Sequence, residues 1–190
     1  MGNSKKQNLL DAALTLFVAQ GISETSTASI AKHAGVATGT LFHHFENKKV
    51  LVEALYLNLK QELVTSLQLN NAINSNEQAL SVWRSAIKWG LDNPEKFSFF
   101  TIYYASPWLE VDFKQGVLNS VFYFLTEYIE LQKQQGNFVA LPTDFIAMHI
   151  QQSLINTVLY LSHEQANILD VEKLIDNSFN TCLFGLICRN

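Results

Sequence analysis

The residues best suited to chemistry lie in one short stretch, TGTLFHHFENKK, which runs from Thr38 to Lys49. It contains a glycine with one threonine hydroxyl on each side, two adjacent imidazoles and a pair of lysines. All of these polar groups can donate hydrogen bonds to phosphate oxygens or base edges. The lysines follow Asn47, where a helix should begin, and cations at that end oppose the helix dipole. A phosphate at the helix start would offset this cost, so the stretch indicates contact with a polyanion.

Other kinds of chemistry have weaker signals in this chain. His43 and His44 are neighbours on a helix, about 100° apart, and cannot share a metal as histidines four residues apart do. The sequence has no Gly-rich phosphate loop, and its two cysteines lack the spacing of a zinc site. We therefore predict no catalytic residue, no metal site and no cofactor. An all-helical enzyme that uses His149 remains the alternative.

The polar stretch belongs to a run of short helices, because helical periodicity dominates the sequence and no alternating strand pattern is sustained. A first helix is predicted over residues 5–19. Ser26 or Thr27 caps a second helix, which ends at Gly35. A third helix follows over residues 38–45. Two short helices joined by a tight turn form a helix-turn-helix, whose second helix can enter the major groove of DNA.

The rest of the chain is also predicted to be helical. Asn47 caps a fourth helix that extends to about Leu69, and an Asn-rich segment over 70–76 follows it. Five further helices are expected, at about 77–91, 94–106, 110–135, 143–162 and from 170 onwards. The fold class is therefore all-α, with about nine helices. We assign residues 1–50 to a three-helix helix-turn-helix DNA-binding domain, and residues 51–190 to a second helical domain.

Three segments carry a resemblance to a known family: LLDAALTLFVAQG, STASIAKHAGV and TGTLFHHFENKKVL. Residues 9–55, which contain them, resemble the DNA-binding domain of TetR-family transcriptional regulators. The resemblance implies an all-helical homodimer that binds a palindromic DNA operator. It implies a repressor that usually releases DNA when a small ligand enters the C-terminal domain, which makes residues 51–190 the helical domain for effector binding and dimerisation. By position it assigns base-reading or groove-facing roles to Thr38, Gly39, Thr40 and His43, and backbone contacts to Thr27, Phe42, His44 and Lys48.

Two residues depart from the family pattern. Ala37 stands where most members have serine, so the usual capping hydroxyl is missing, and we expect Thr38 to replace it with a shifted helix start. Phe42 stands where most members have tyrosine, so one hydroxyl that would reach a phosphate is absent. Helix 2 also has only Ala28 and Ser29 at positions where longer side chains often reach DNA, so sequence specificity should be concentrated in residues 38–43.

Aromatic residues crowd the middle of the chain, and three of them have polar tips that need partners when buried: Tyr103, Tyr104 and Trp108. A mostly apolar cavity with a few polar groups is the usual form of a ligand site. We therefore predict a small hydrophobic or aromatic effector. A second group of candidates shares one uncharged face of a later helix and would form a pocket wall or a dimer seam: His149, Gln152 and Asn156.

The remaining expectations concern partners and location. Residues 1–50 carry two more positive than negative charges, although the whole chain has a net charge of −4. This basic segment favours a polyanionic partner. The longest uncharged stretch, 145–162, contains too many polar residues for a membrane span, so we expect a cytoplasmic protein with no membrane partner. The apolar stripe of the last helix favours a role in dimerisation, and the resemblance implies a homodimer through the last two helices. A helical ligand-binding or interaction protein without DNA binding is the other alternative.

Overall fold

A computed structural model describes residues 4–69, 72–164 and 170–187. Within these ranges the chain forms ten α-helices and no β-sheet, so the prediction of an all-α fold is confirmed. None of these helices has both the length and the apolar character needed to cross a membrane. The helices are α1 (Lys5–Gln20), α2 (Thr27–His33), α3 (Thr38–His44), α4 (Lys48–Ser66), α5 (Asn76–Asp92), α6 (Pro94–Tyr104), α7 (Val111–Ser120), α8 (Tyr123–Gln134), α9 (Thr143–Glu164) and α10 (Val171–Phe184).

The tenth helix arises because the predicted single helix over about 110–135 is wrong. The carbonyl of Val117 accepts hydrogen bonds from the N–H groups of both Val121, at 2.9 Å, and Phe122, at 3.3 Å. The hydrogen-bond spacing therefore lengthens from four to five residues at this point. Phe122 then leaves helical geometry, with φ −109° and ψ 27°, and acts as the N-cap of α8. No glycine or proline marks this break.

Helix ends elsewhere follow their sequence signals. The side chains of Ser26, Asn47 and Asp170 each accept a hydrogen bond from the backbone N–H three residues later, at 3.0, 3.0 and 2.9 Å. Gly21 and Gly35 have φ angles of +88° and +68°, which favour glycine, and both follow helices. The caps predicted at Ser26 and Asn47 and the stop predicted at Gly35 are confirmed.

The first compact unit of the chain comprises Met1–Gln61 and Asn93–Val111. In it α6 packs against α1. The ring of Phe99 stacks on Phe17, at a centroid distance of 6.0 Å, and on Tyr103, at 5.8 Å. The core is completed by buried side chains from α1 to α4 and the turn after α3, among them Leu9, Ala13, Ile30, Leu41, Phe45, Leu51 and Leu55.

The second compact unit comprises Glu62–Asp92 and Asp112–Asn190. In it α9 contacts α5, α8 and α10. The indole N–H of Trp83 donates to the hydroxyl of Ser178 at 3.0 Å and joins α5 to α10. The core of this unit is apolar and partly aromatic, with buried side chains that include Ile87, Phe124, Tyr128, Ile129, Ile146, Val158, Leu161 and Phe179.

The boundary between the compact units falls within α4, between Gln61 and Glu62, and α6 belongs to the first unit. This structural boundary differs from the predicted boundary between the functional domains, which lies between residues 50 and 51. The assignment of 1–50 to DNA binding and of 51–190 to effector binding and dimerisation stays a prediction.

Candidate functional site

The helix-turn-helix is held together by a small apolar core. Gly35 has a positive φ and the N–H of Val36 donates to the carbonyl of Ala31 at 3.0 Å, which closes the turn between α2 and α3. Ile30 on α2 and Leu41 on α3 are both fully buried. Because these side chains point inward, the opposite face of α3 is left to the solvent.

The exposed face of α3 carries most of the predicted DNA-binding residues. Thr38, Gly39, Phe42, His43 and His44 are exposed. The structure thus brings together the small hydroxyl residue, the glycine and the two imidazoles on one accessible surface. The other three predicted residues are half-buried: Thr27, Thr40 and Lys48.

Gly39 has no role in the packing of its own chain. Apart from its chain neighbours and the backbone of its own helix, a Cβ atom built at this position meets no described atom within 4 Å. Its φ angle is not in the left-handed region, so the backbone does not require glycine either. A glycine inside a helix destabilises it by roughly 0.5–1 kcal/mol relative to alanine. The feature that would use this residue is the close approach of a partner to α3.

The start of α3 does not have the cap that we expected. Ala37 is the N-cap residue, with φ −68° and ψ 147°, and no side chain accepts a hydrogen bond there. The expectation that Thr38 replaces the missing serine is wrong. Thr38 is already the first helical residue, so its hydroxyl lies one position past the site from which a cap reaches the free N–H groups.

Lys48 lies at the start of α4 and makes two contacts that the sequence did not indicate. Its ammonium group donates to the backbone carbonyl of Ser23 at 3.0 Å and lies 5.0 Å from the ring centroid of Trp108. Burial lowers the pKa of Lys48, an effect that the negative charge of Glu24 opposes. The lysine is therefore turned toward the α1–α2 turn and the segment that follows α6.

Lys49 is held by carboxylates. Its ammonium group lies 2.6 Å from a carboxylate oxygen of Glu110 and 3.9 Å from one of Glu53. The hydrogen bond with Glu110 is the main cause of a raised pKa for Lys49. Sequence reasoning missed Ser23, Trp108 and Glu110 as neighbours of the two lysines, since no local spacing relates a residue near position 108 to one near position 48.

The aromatic candidates for ligand binding lie in the first compact unit and have partners within it. Tyr103 is fully buried and its hydroxyl donates to the carbonyl of Trp108 at 3.3 Å. The indole N–H of Trp108 donates to the hydroxyl of Ser23 at 3.4 Å. Tyr104 and Trp108 are half-buried. The polar tips of Tyr103 and Trp108 are thus used by the fold.

The other candidates for ligand binding lie on α9, in the second compact unit. His149, Gln152 and Asn156 are all exposed, and the amide N–H of Gln152 donates to Asn156 at 2.9 Å. Large apolar side chains on the same helix are exposed as well, among them Phe145 and Tyr160. This mixed surface is accessible along much of α9.

A groove between α1 and α2 was not anticipated from the sequence. It has a volume of about 350 Å³, is open to solvent and is lined mainly by polar residues: Asn8, Asp11, Ala12, Thr15, His33 and Ala34. In the described part of the chain, no group of three or more His, Cys, Asp or Glu side chains could hold a metal ion. The groove therefore adds a polar surface feature without metal-binding geometry.

Comparisons with known proteins agree with this geometry. The profile of "Bacterial regulatory proteins, tetR family" matches residues 9–55. A TetR-family transcription regulator from Shewanella sp. PV-4 is 32% identical, with a TM-score of 0.91, and the similarity covers 98% of this chain and 100% of that one. The regulator FadR from Bacillus subtilis, solved in complex with stearoyl-CoA, shares the fold at 17% identity and a TM-score of 0.73, over 94% of this chain and 98% of that one.

Curated relatives are similar to this chain over part of their length. The HTH-type transcriptional regulator AcrR of Shigella flexneri is 37% identical over 82 residues, which are 43% of this chain and 38% of AcrR. The chain thus matches well under two thirds of that relative's length.

Proposed function

This chain belongs to the TetR family of bacterial transcriptional regulators, and from that membership we propose that it is a ligand-responsive repressor that binds a palindromic operator as a homodimer. The observation that carries the proposal is the exposed face of α3, where small hydroxyls, a glycine and two imidazoles meet. The relatives named above are regulators rather than enzymes. We therefore propose no reaction for this chain. We also propose that it is located in the cytoplasm.

Sequence reading is assigned to residues 38–45. The major groove is about 12 Å wide and admits a helix whose contacting face is narrow. Thr38 and Thr40 offer short donors and acceptors, and Gly39 allows the backbone to approach the base edges. His43, one turn later on the exposed surface, can donate a hydrogen bond to a base.

Backbone contacts are assigned to four residues around the recognition helix. The hydroxyl of Thr27 lies in the first turn of α2, where free N–H groups and the helix dipole favour a phosphate. His44 and Lys48 can donate to phosphate oxygens. Phe42, 48% exposed, can contribute only apolar contact with the sugar-phosphate backbone. These contacts would position the helix without reading sequence.

The remaining proposals concern the effector and the surface through which two subunits pair. FadR from Bacillus subtilis, which was solved with stearoyl-CoA, shares the fold of this chain. A small hydrophobic or aromatic effector fits the aromatic content of α6 and its neighbours, and Tyr103, Tyr104 and Trp108 stay the proposed contacts. The exposure of His149, Gln152 and Asn156 favours a place in the homodimer seam formed by α9 and α10 over a place in a pocket wall.

The test selects the sequences that the wild-type chain prefers from a random duplex library. The binding affinities of variants are then compared on the most strongly selected duplex. We expect His43→Ala and Thr40→Ala to change the preferred bases, each at a loss of about 1–3 kcal/mol on the original site. Lys48→Ala should weaken all duplexes alike and lower the salt slope by about 1. His163→Ala, an exposed histidine on α9, is the control and should change neither. A wild-type chain without any sequence preference would contradict the proposal and favour an interaction protein.

A further inference from the structure

The ammonium group of Lys48 occupies a small site within its own chain. One side is taken by the carbonyl oxygen of Ser23, at 3.0 Å, and another by the face of Trp108, at 5.0 Å from the ring centroid. Lys48 is one of the residues assigned above to a DNA phosphate. The chain therefore offers this cation a second set of partners besides DNA.

The segment after α6 holds Trp108 in place. The indole N–H of Trp108 donates to the hydroxyl of Ser23. The backbone carbonyl of Trp108 accepts a hydrogen bond from the hydroxyl of the buried Tyr103 on α6. The contact with Ser23 brings the ring to the same α1–α2 turn whose carbonyl binds Lys48. Hydrogen bonds thus hold Trp108 at its backbone carbonyl and at its indole N–H, and the face of the ring is free to contact Lys48.

We propose that Trp108 is an intramolecular competitor of DNA: together with the carbonyl of Ser23 it holds the ammonium group of Lys48, which must leave this site to bind a phosphate. Trp108 thereby lowers the affinity of the regulator for any duplex. The inference rests on the proposed function, since it concerns one of the phosphate contacts named there.

The neighbouring ion pair acts in the same direction. Glu110 lies two residues after Trp108 and its carboxylate is 2.6 Å from the ammonium group of Lys49. The segment therefore neutralises the second lysine of the pair and adds a negative charge close to the start of α4. A polyanion that approaches this helix start meets an aromatic ring and a carboxylate that already hold both lysines.

The surroundings of Lys48 indicate that Trp108 competes with DNA for the ammonium group and does not merely orient Lys48 toward a phosphate. The contacts that hold the ammonium group also remove water from it, and this desolvation lowers the pKa of Lys48. A phosphate with its full negative charge would be a stronger acceptor than a neutral carbonyl and a ring. Removal of the ring should therefore free the lysine for the phosphate instead of disabling it.

The experiment measures binding of a fluorescein-labelled, mixed-sequence duplex over a range of salt concentrations. Trp108→Leu should bind about two- to fivefold more tightly than the wild type, as expected for loss of a cation–π contact at an accessible site. Its salt slope should stay close to that of the wild type, because Lys48 makes the same phosphate contact in both complexes once it has left its site. Glu110→Gln should also tighten binding, more than Glu95→Gln, which removes the same charge from an exposed position on α6.

A double variant separates this competition from an indirect effect. In a Lys48→Gln background, Trp108→Leu should leave duplex affinity and salt slope unchanged. Thermal unfolding of each variant reports on the fold. If Trp108→Leu does not fold, Trp108→Phe, which keeps a smaller ring over the lysine, should show a smaller gain in the same direction.

Each outcome decides a different question. Equal or weaker duplex binding by the folded Trp108 variant, or the same gain without Lys48, overturns the inference and leaves the proposed function intact. A wild-type chain that binds no duplex at all overturns the proposed function, and the inference falls with it. Tighter binding that requires Lys48, with a salt slope close to that of the wild type, supports the inference.

Discussion

Lys60 is a charged side chain that the fold buries among aromatic rings. It is 6% exposed, and its ammonium group lies 4.2 Å from the ring centroid of Phe100 and 5.2 Å from that of Tyr56. Desolvation lowers the pKa of Lys60 from 10.5 to about 8. The two ring faces favour the cation and recover part of this desolvation penalty.

The depressed pKa of Lys60 predicts a particular pH dependence of stability. Below pH 8 the lysine is protonated in both the folded and the unfolded chain, so the burial penalty is fully present. Between the folded pKa of about 8 and the unfolded value of 10.5 the unfolded chain binds more protons, so stability rises with pH. Lys60→Met should be about 1–2 kcal/mol more stable than the wild type near neutral pH. This advantage should shrink by about 2 kcal/mol by about pH 9.5.

Urea unfolding of both proteins at the two pH values checks this prediction. Lys88→Met is the control, because it removes the same charge from an exposed lysine of α5. A difference between Lys60→Met and the wild type that stays constant over the range would contradict the expected titration.

At the level of single residues, local spacing indicates the buried leucines of α4 but not the buried cation. The four-residue spacing of Leu51, Leu55 and Leu59 predicts one buried face of α4, and all three are buried. Lys60 follows this stripe and is buried because α6 covers it with an aromatic ring. That contact depends on long-range packing, as does the contact between Lys48 and Trp108, and neither has a signal in local spacing.

Among the helices, α3 is short and has no side-chain cap, whereas α2 is equally short and is capped by Ser26. Ala37 is exposed and has the extended backbone geometry of an N-cap residue. Ala37→Ser should therefore stabilise the chain by about 1 kcal/mol, because the new hydroxyl can accept from a free N–H of α3. Ser26→Ala should destabilise it by a similar amount. Chemical unfolding measures both, and an unchanged or lower stability for Ala37→Ser would count against this reading of the cap.

Element boundaries were predictable where a residue type itself determines the backbone. Glycines at positive φ and capping side chains gave the ends of α1 and α2 and the starts of α4 and α10. The break between α7 and α8 has no such residue, and the apolar pattern continues through Val121 and Phe122, so the sequence predicted one helix. The exposed face of α3 could be predicted from Leu41 and its spacing to Phe45, but the missing cap could not, because it depends on where the first helical turn begins.

At the scale of the whole molecule, α9 and the segment before it carry apolar side chains that a lone subunit leaves exposed. They include Leu141, Phe145, Met148, Leu159 and Tyr160. Such side chains on a helix that also carries uncharged polar residues are typical of a surface that is covered in an assembly. A palindromic operator requires two recognition helices related by a two-fold axis, and a homodimer through α9 and α10 would supply them.

The dimer can be tested by placing charge on this surface. Tyr160 is 53% exposed on α9, and Tyr123 is 57% exposed on α8. Tyr160→Glu should weaken self-association by about tenfold or more, since a charge would be buried at an apolar interface, whereas Tyr123→Glu should leave it unchanged. Sedimentation velocity over a dilution series measures both. The Tyr160 variant should also lose its preference for a palindrome over a single half-site, because one subunit reads only one half. A monomeric wild type, or equal effects of the two substitutions, would show that another surface joins the subunits or that none does.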